Sequence, residues 1–255
     1  MKINFSKYQG TGNDFILIDN RNDEFSKDTK HIQFLCDRKF GIGSDGLILI
    51  ENHQELDYKM VFYNPDGSES LCGNGSRCGF QFARSLGIVE DKATFETTDG
   101  VHSAIIKGEA ISFSLFDVDH LTKVQSDFYV NTGSPHYVKM VDDIEAVDVM
   151  AVGREIRYSD AYLGQNGTNV NFAQLLHDRV AVRTYERGVE NETLSCGTGV
   201  TAVGLVAAQL NYPSPVVIET RGGTLKVDYE KTAKGFKNIW LTGAATFVFS
   251  GSIEL

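Results

Sequence analysis

The sequence predicts an α+β fold of two pseudosymmetric lobes, each a curled, mostly antiparallel sheet around one central helix, with the active site in the cleft between them. Three observations carry this expectation. Leu71-Cys72-Gly73-Asn74-Gly75 is echoed by Ser195-Cys196-Gly197-Thr198-Gly199, and each is followed by an apolar segment of helix length, Arg77 to Leu86 and Val200 to Leu210. The echo continues downstream, where Glu96-Thr97-Thr98-Asp99-Gly100 and Glu219-Thr220-Arg221-Gly222-Gly223 recur at almost the same offset, as if one ancestral unit were used twice. The segment after Cys196 is apolar nearly all round, through Val200, Ala202, Val203, Leu205, Val206, Ala207, Ala208 and Leu210, so it must be enclosed.

The 255 residues suit two lobes of roughly 100–150 residues each. The expected division is an N-terminal lobe of 1–117, joined by a C-terminal strand from about 245–255, and a C-terminal lobe of 118–244. Asp117-Val118-Asp119-His120 is the expected crossing.

Residues 2–20 read as extended, with Phe15-Ile16-Leu17-Ile18 entered through the turn Gly10-Thr11-Gly12-Asn13-Asp14. Asp28 to Phe40 suits a short amphipathic helix in which Cys36 is a core hydrophobe. Gly41-Ile42-Gly43-Ser44-Asp45-Gly46 matches G-x-G-x-x-G, but a helix precedes it and the strand Leu47-Ile48-Leu49-Ile50 follows, the reverse of a dinucleotide fingerprint. It reads as a helix-to-strand loop. Tyr58 to Tyr63 is a strand ending in the turn Asn64-Pro65-Asp66-Gly67-Ser68, which delivers the chain to Cys72. Cys78, Phe82 and Leu86 mark the buried side of the helix that follows. Ala93–Thr98, Val101–Lys107 and Ala110–Phe116 form a meander.

In the second half, Phe128 to Val138 gives two strands joined by a tight turn carrying His136, a surface position in most such turns. Residues 142–156 read as a peripheral helix, and Asn169–Ala173 and Val180–Tyr185 as strands. Val216–Thr220, Thr224–Tyr229, Lys237–Thr242 and Ala245–Phe249 supply sheet to wrap the second apolar helix.

The totals describe a folded globule, with 42% hydrophobic and 23% charged residues. A net charge of −10 argues against non-specific nucleic-acid binding, which relies on basic surface. Met1 to Lys7 lacks the apolar core of a signal peptide, and no run approaches the ~20 residues of a membrane span, so a cytoplasmic protein is expected. Four cysteines, at 36, 72, 78 and 196, do not suggest a disulfide framework, and their spacing fits no zinc pattern.

A cysteine at the first turn of a helix is chemically special. Unpaired backbone N–H groups and the positive end of the helix dipole favour its thiolate. Two such cysteines form an acid/base pair if one ionised sulfur removes a proton from a carbon and the other returns one on the opposite face. That is racemisation or epimerisation of an amino acid without a cofactor or metal. Three other readings stay open at this point. Gly197-Thr198-Gly199-Val200-Thr201-Ala202 fits the G-x-G-x-x-A dinucleotide variant, with Glu219 for the ribose, and would make an oxidoreductase. The helix starts could merely bind an anion. A nucleophilic cysteine hydrolase would need one such cysteine and a histidine.

These residues resemble the diaminopimelate epimerase family over essentially the whole chain. The resemblance rests on Gly12-Asn13-Asp14-Phe15, Asn64-Pro65-Asp66-Gly67-Ser68, Cys72-Gly73-Asn74-Gly75-Ser76-Arg77-Cys78, Gly133-Ser134-Pro135-His136, Asn169-Val170, Glu186-Arg187-Gly188 and Cys196-Gly197-Thr198-Gly199. The similar proline racemase and hydroxyproline epimerase group has histidine where this chain has Asn74. The resemblance implies the α/β epimerase fold and interconversion of LL- and meso-diaminopimelate on the route to lysine and peptidoglycan. It implies no cofactor or metal, a small-molecule substrate as partner, no nucleic acid or membrane, and a homodimer. By likeness, Cys72 and Cys196 are the acid and base, and His136 and Glu186 tune their pKa values, an imidazolium favouring a thiolate and a carboxylate opposing it. Gly73, Asn74, Gly197 and Thr198 would hold the reacting end of the substrate, and Asn13, Asn64, Asn169, Glu186 and Arg187 the distal end. Two positions depart from the family pattern: Ser134 stands where many members have Asn, and Gly46 where some have Gln.

Overall fold

The computed structural model describes residues 2–164 and 166–255. The chain divides into two compact units, one running to Phe113 and taking in Gly243–Leu255, the other Ser114–Thr242. In chain order the first contains β1 (Lys2–Gly10), β2 (Asn13–Asp19), α1 (Thr29–Cys36), β3 (Gly46–Glu51), β4 (Tyr58–Tyr63), α2 (Gly73–Ser85), β5 (Lys92–Thr97), β6 (Gly100–Lys107) and β7 (Ala110–Leu115), the last reaching just past its boundary. The second contains β8 (Thr122–Val124), β9 (Asp127–Asn131), β10 (Pro135–Met140), α3 (Val149–Arg157), α4 (Asp160–Leu163), β11 (Asn169–Leu175), β12 (Val180–Glu186), β13 (Asn191–Thr193), α5 (Gly197–Gln209), β14 (Val216–Thr220), β15 (Gly223–Lys231) and β16 (Phe236–Gly243). A final strand, β17 (Thr246–Glu254), pairs antiparallel with β1. Ala245–Phe249 therefore does not wrap the second helix, because its backbone partners belong to the first unit.

The two units repeat one pairing pattern. In the first, successive pairs from β1 to β7 are antiparallel, parallel, antiparallel, parallel, antiparallel and antiparallel. In the second, β9-β10-β11-β12-β14-β15-β16 runs through the same six relations. Each outer edge carries one further antiparallel strand, β17 on β1 and β8 on β9. Each apolar helix spans the second parallel step, α2 between β4 and β5 and α5 between β12 and β14, as a parallel connection requires. The duplication and the mixed α+β class read from the sequence are both present.

Burial explains why these helices form. Every residue of α2 from Gly73 to Phe80 is buried, and in α5 only Thr198 and Gln209 are not. Each fully enclosed Val or Leu contributes about 1.5–3 kcal/mol relative to exposure, so the side chains of α5 stabilise it only inside a sheet. The sheet of the first unit is covered on both faces. Alternate strand residues Ile16, Ile18, Leu47, Leu49 and Val61 meet Ile32, Leu35 and Cys36 of α1. The intervening Ile48 and Phe62 meet Gly75 of α2. That two-sided burial accounts for the unbroken apolar run Leu47–Ile50. In the second unit, Val170, Phe172 and Tyr185 pack against Val149 of α3. The alternation then turns Asn169 and Asn171 of β11 to the opposite face, towards α5.

The G-x-G-x-x-G stretch is the loop between α1 and β3, as its context predicts. Asp37 stops α1 by accepting from the backbone N–H groups of Lys39 and Phe40. Among the described residues no helix is long and apolar enough to cross a membrane.

α5 lies so close to β15 that a Cβ on Gly204 would sit 2.8 Å from Cβ of Val227. Gly204→Ala should therefore lower unfolding stability by about 1–3 kcal/mol in urea titration, although alanine gains ~1 kcal/mol in helix propensity. A stabilised variant would show that the helix and strand can separate without cost.

Candidate active site

In the first unit the chain enters α2 through Cys72, the N-cap residue, with extended backbone (φ −130°, ψ 110°). Its sulfur accepts from the N–H of Gly75 at 3.4 Å, a helix-start donor with no intrahelical partner. Beneath it lies Arg77, fully buried. Its guanidinium donates to Asn74 Oδ1 and Thr11 Oγ1 (both 2.9 Å), Gly73 O (3.3 Å) and Ala244 O (3.5 Å), none of them a carboxylate. Burial pulls its pKa down to about 10, opposed by Cys78 and Cys72, so the group stays charged at neutral pH.

That cation sets the polarity of everything above it. Arginine only donates, so the Asn74 atom facing it is the carbonyl oxygen, and Asn74 Nδ2 donates to Asn13 Oδ1 at 2.6 Å. Asn13 Nδ2 then donates to Asp45 Oδ2 at 3.1 Å. Asp45 and Asp14 are clamped by Arg38, and Asp14 by Lys7 as well. Burial alone would raise the Asp14 carboxyl, but Arg38 and Lys7 hold it below the usual range. Cys72, Gly73, Asn74 and Asn13 are thus brought together, with Arg77 and Thr11 as partners that sequence reading did not single out. Asn64 holds its own turn, donating from Nδ2 to Ser68 O, Ser68 Oγ and Ser70 Oγ, two residues before Cys72. Gly46 is glycine for a local reason, since a Cβ there would lie 2.4 Å from the Phe62 ring.

The remaining cysteines are core residues. Cys78 is wholly buried, which pushes its thiol up to about 12 despite the neighbouring Arg77, and burial also raises Cys36.

In the second unit Cys196 is the N-cap of α5 (φ −117°, ψ 113°), with its sulfur 3.6 Å from Thr198 Oγ1. Thr198 Oγ1 lies 2.9 Å from His136 Nε2 and 3.2 Å from Ser134 Oγ, and its carbonyl accepts from Thr132 Oγ1 at 2.8 Å. His136 Nδ1 faces Asn171 Nδ2 at 3.1 Å. Asn169 Nδ2 donates to Pro135 O (2.9 Å) and Ser134 Oγ (3.3 Å), while its Oδ1 accepts from the Arg187 backbone N–H (2.9 Å). Glu186 Oε2 accepts from Thr193 Oγ1 at 2.7 Å. The structure therefore gathers Cys196, Gly197, Thr198, His136, Asn169, Glu186 and Arg187 at one end of this sheet.

Arg187 differs from its neighbours. Arg183 makes a two-pronged pair with Glu192 (2.7 Å each) and Arg157 pairs with Glu190 (2.9 Å). Among the described residues no carboxylate pairs with the Arg187 guanidinium.

His136 differs from its sequence reading. It is fully buried at the start of β10 rather than on a turn surface. Burial, reinforced by the Arg187 charge, lowers its pKa from 6.5 to about 3, so it is a neutral imidazole and not an imidazolium. It reaches Cys196 through hydrogen bonds instead of charge. Ser134 belongs to that network, as do Asn171 and Thr184, which sequence reading missed. Gly199 is required by it, since a Cβ there would fall 2.3 Å from Asn171 Oδ1.

The diaminopimelate epimerase family model matches residues 5–122 and 128–248. The chain belongs to the diaminopimelate epimerase family. A diaminopimelate epimerase of Flavobacterium psychrophilum is 49% identical over 253 residues, covering 97% of this chain and 98% of the relative. One of Aquifex aeolicus is 39% identical, covering 99% and 98%. Solved structures with the same fold include a PhzF-family phenazine biosynthesis protein of Bacillus anthracis (TM-score 0.78, 15% identity, 100% of both chains). A probable proline racemase of Agrobacterium radiobacter also shares it (TM-score 0.70, 14% identity, 99% and 93%). Membership in an isomerase family overturns the dinucleotide reading of Gly197–Ala202.

A buried neutral histidine makes stability depend on pH. The unfolded chain takes up a proton at His136 below about pH 6.5 and the native state does not until about pH 3. The contribution is thus fully present above 6.5 and lost as pH falls towards 3. Urea midpoints should show wild-type stability falling across that window by ~1.4 kcal/mol per pH unit more than in His136→Gln. Equal slopes would mean His136 is charged in the folded protein.

Proposed function

We propose that the chain interconverts LL- and meso-diaminopimelate by a two-base mechanism carried by Cys72 and Cys196. The observation that supports this most is their equivalence: each is the N-cap of the one buried helix in its repeat, with extended backbone and a Gly-x-Gly behind it. One sulfur, ionised, removes the α-proton; the other, protonated, delivers a proton to the opposite face. The C–H bonding pair stays on carbon as a carbanion between the two steps, and the two sulfurs exchange protonation states.

In this reading the backbone amide groups at the starts of α2 and α5, at Gly73, Asn74, Gly197 and Thr198, take the reacting carboxylate, where helix-start donors and dipole both favour negative charge. They stabilise the charge that develops as the α-proton leaves. Asn13, Asn64 and Asn169 hold the distal amino-acid end. Arg187, whose guanidinium pairs with no carboxylate among the described residues, offers the distal carboxylate a planar fork. His136 and Glu186 bias the second thiol. A cytoplasmic setting suits the scheme, because a reducing compartment keeps both sulfurs as thiols.

Cys72→Ser and Cys196→Ser should each reduce turnover by about 10²-fold or more in folded protein, while Cys36→Ser retains activity. The assay follows deuterium at the α carbon of LL-diaminopimelate in heavy water without added cofactor. Near-normal inversion by either Cys72→Ser or Cys196→Ser would refute the two-base assignment.

A further inference from the structure

We propose that Asn171 is a positioning residue that locks His136 in the tautomer bearing its proton on Nε2, so that the Thr198 hydroxyl is turned to donate to the Cys196 sulfur. The role of the Asn171 side-chain amide allows no choice. Asn171 places one amide atom 3.1 Å from the Tyr137 backbone carbonyl and 3.1 Å from His136 Nδ1. A carbonyl cannot donate, so that atom is the NH2 nitrogen, and the other end, Oδ1, is the acceptor for Thr184 Oγ1 at 3.0 Å. Asn171 and Thr184 are direct cross-strand partners, which brings hydroxyl and amide together.

With one amide hydrogen on Tyr137 O, the second points at His136 Nδ1, which must present a lone pair. An Nδ1–H tautomer or an imidazolium would set two N–H groups head to head inside the fold, an unpaired buried donor. The ring proton therefore sits on Nε2, 2.9 Å from both Thr198 Oγ1 and Ser134 Oγ. With Nε2–H directed at this hydroxyl pair, the Thr198 hydrogen is available to Cys196 Sγ at 3.6 Å. The direction of donation then runs Thr184, Asn171, His136, Thr198, Cys196, and it ends on the atom that must carry negative charge in one half of the catalytic cycle. Hydrogen bonding to the charged form favours it. The hydrogen bonds of Asn171 go to His136, Tyr137 and Thr184 and to neither sulfur, so it acts through the ring.

This rests on the two-thiol reading only for its catalytic consequence, since the tautomer is observable without turnover. In a long-range ¹H–¹⁵N correlation spectrum of labelled wild-type protein near pH 7, with His136 assigned by its loss in His136→Gln, Nδ1 should be unprotonated and Nε2 protonated. A protonated Nδ1 in that spectrum overturns the proposal. Asn171→Asp replaces the donor with an acceptor and should move the proton to Nδ1, lowering kcat about 10–100-fold with KM changed less than about threefold. A moved proton with unchanged kcat also overturns it. If Asn171→Asp does not fold, the wild-type spectrum decides alone. Failure of the two-thiol reading has a different signature: an active Cys196→Ser protein in which the His136 spectrum is as expected.

Discussion

Each unit of this protein is built around a helix enclosed by its sheet, α5 apolar nearly all round and α2 buried from Gly73 to Phe80 with its Arg84 end exposed. Enclosing it fixes where it starts. The first turn of α2 and of α5 carries backbone N–H groups that the helix itself cannot pair, and in both units the residue immediately before that turn is a cysteine. The donors and the dipole that any buried helix must accommodate are thereby aimed at a sulfur and at the space beside it. Cys78, in the core, shows the opposite setting, with burial the largest cause of a thiol pushed up to about 12. On the two-thiol proposal, the chemistry is a by-product of how the core is closed.

Around each helix start, polar side chains are oriented by groups that can only donate or only accept. In the first unit the chain of donation begins at the buried Arg77 and runs through Asn74 and Asn13 to Asp45. In the second it passes from Thr184 through Asn171 to His136, fixed by the Tyr137 carbonyl. Taking a guanidinium out of water is costly, and Arg77 offsets that cost with four neutral oxygen acceptors instead of a carboxylate. The result is amide side chains whose oxygen and nitrogen ends are not interchangeable, as recognition of a zwitterionic amino acid demands.

Much of this could be read from the sequence because it depends on local pattern. The duplicated Cys-Gly-x-Gly, the apolar Val200–Leu210 run and the Asn64–Ser68 turn are each signalled by their own residues. The order of helix and strand around Gly41–Gly46 was enough to reject a nucleotide loop there. What stayed hidden depends on partners distant in the chain. Asn171, flanked by Val170 and Phe172, has the alternation of a half-exposed strand, and only the packing of α5 on that face makes it a buried one. His136 sits in a polar, turn-like stretch, so nothing local indicates that it is fully buried and neutral. Ser134 stands out only as a departure from the family pattern, yet it serves the His136–Thr198 pair. Arg77 is only one letter of the motif after Cys72, since a single sequence carries no sign that four oxygens wait for it. The C-terminal strand and its place in the N-terminal lobe are expected from the sequence, but its register along β1 is not legible there.

The central claim is that the two N-cap sulfurs ionise more readily than ordinary thiols and do so as an interacting pair. Ultraviolet titration of thiolate in native wild-type protein, compared with Cys72→Ser and Cys196→Ser, measures this directly. The account predicts a thiolate forming clearly below the ~8.5 of an unperturbed cysteine, with the remaining sulfur titrating differently once its counterpart is replaced. Two sulfurs that ionise at or above that value, each indifferent to loss of the other, would contradict it.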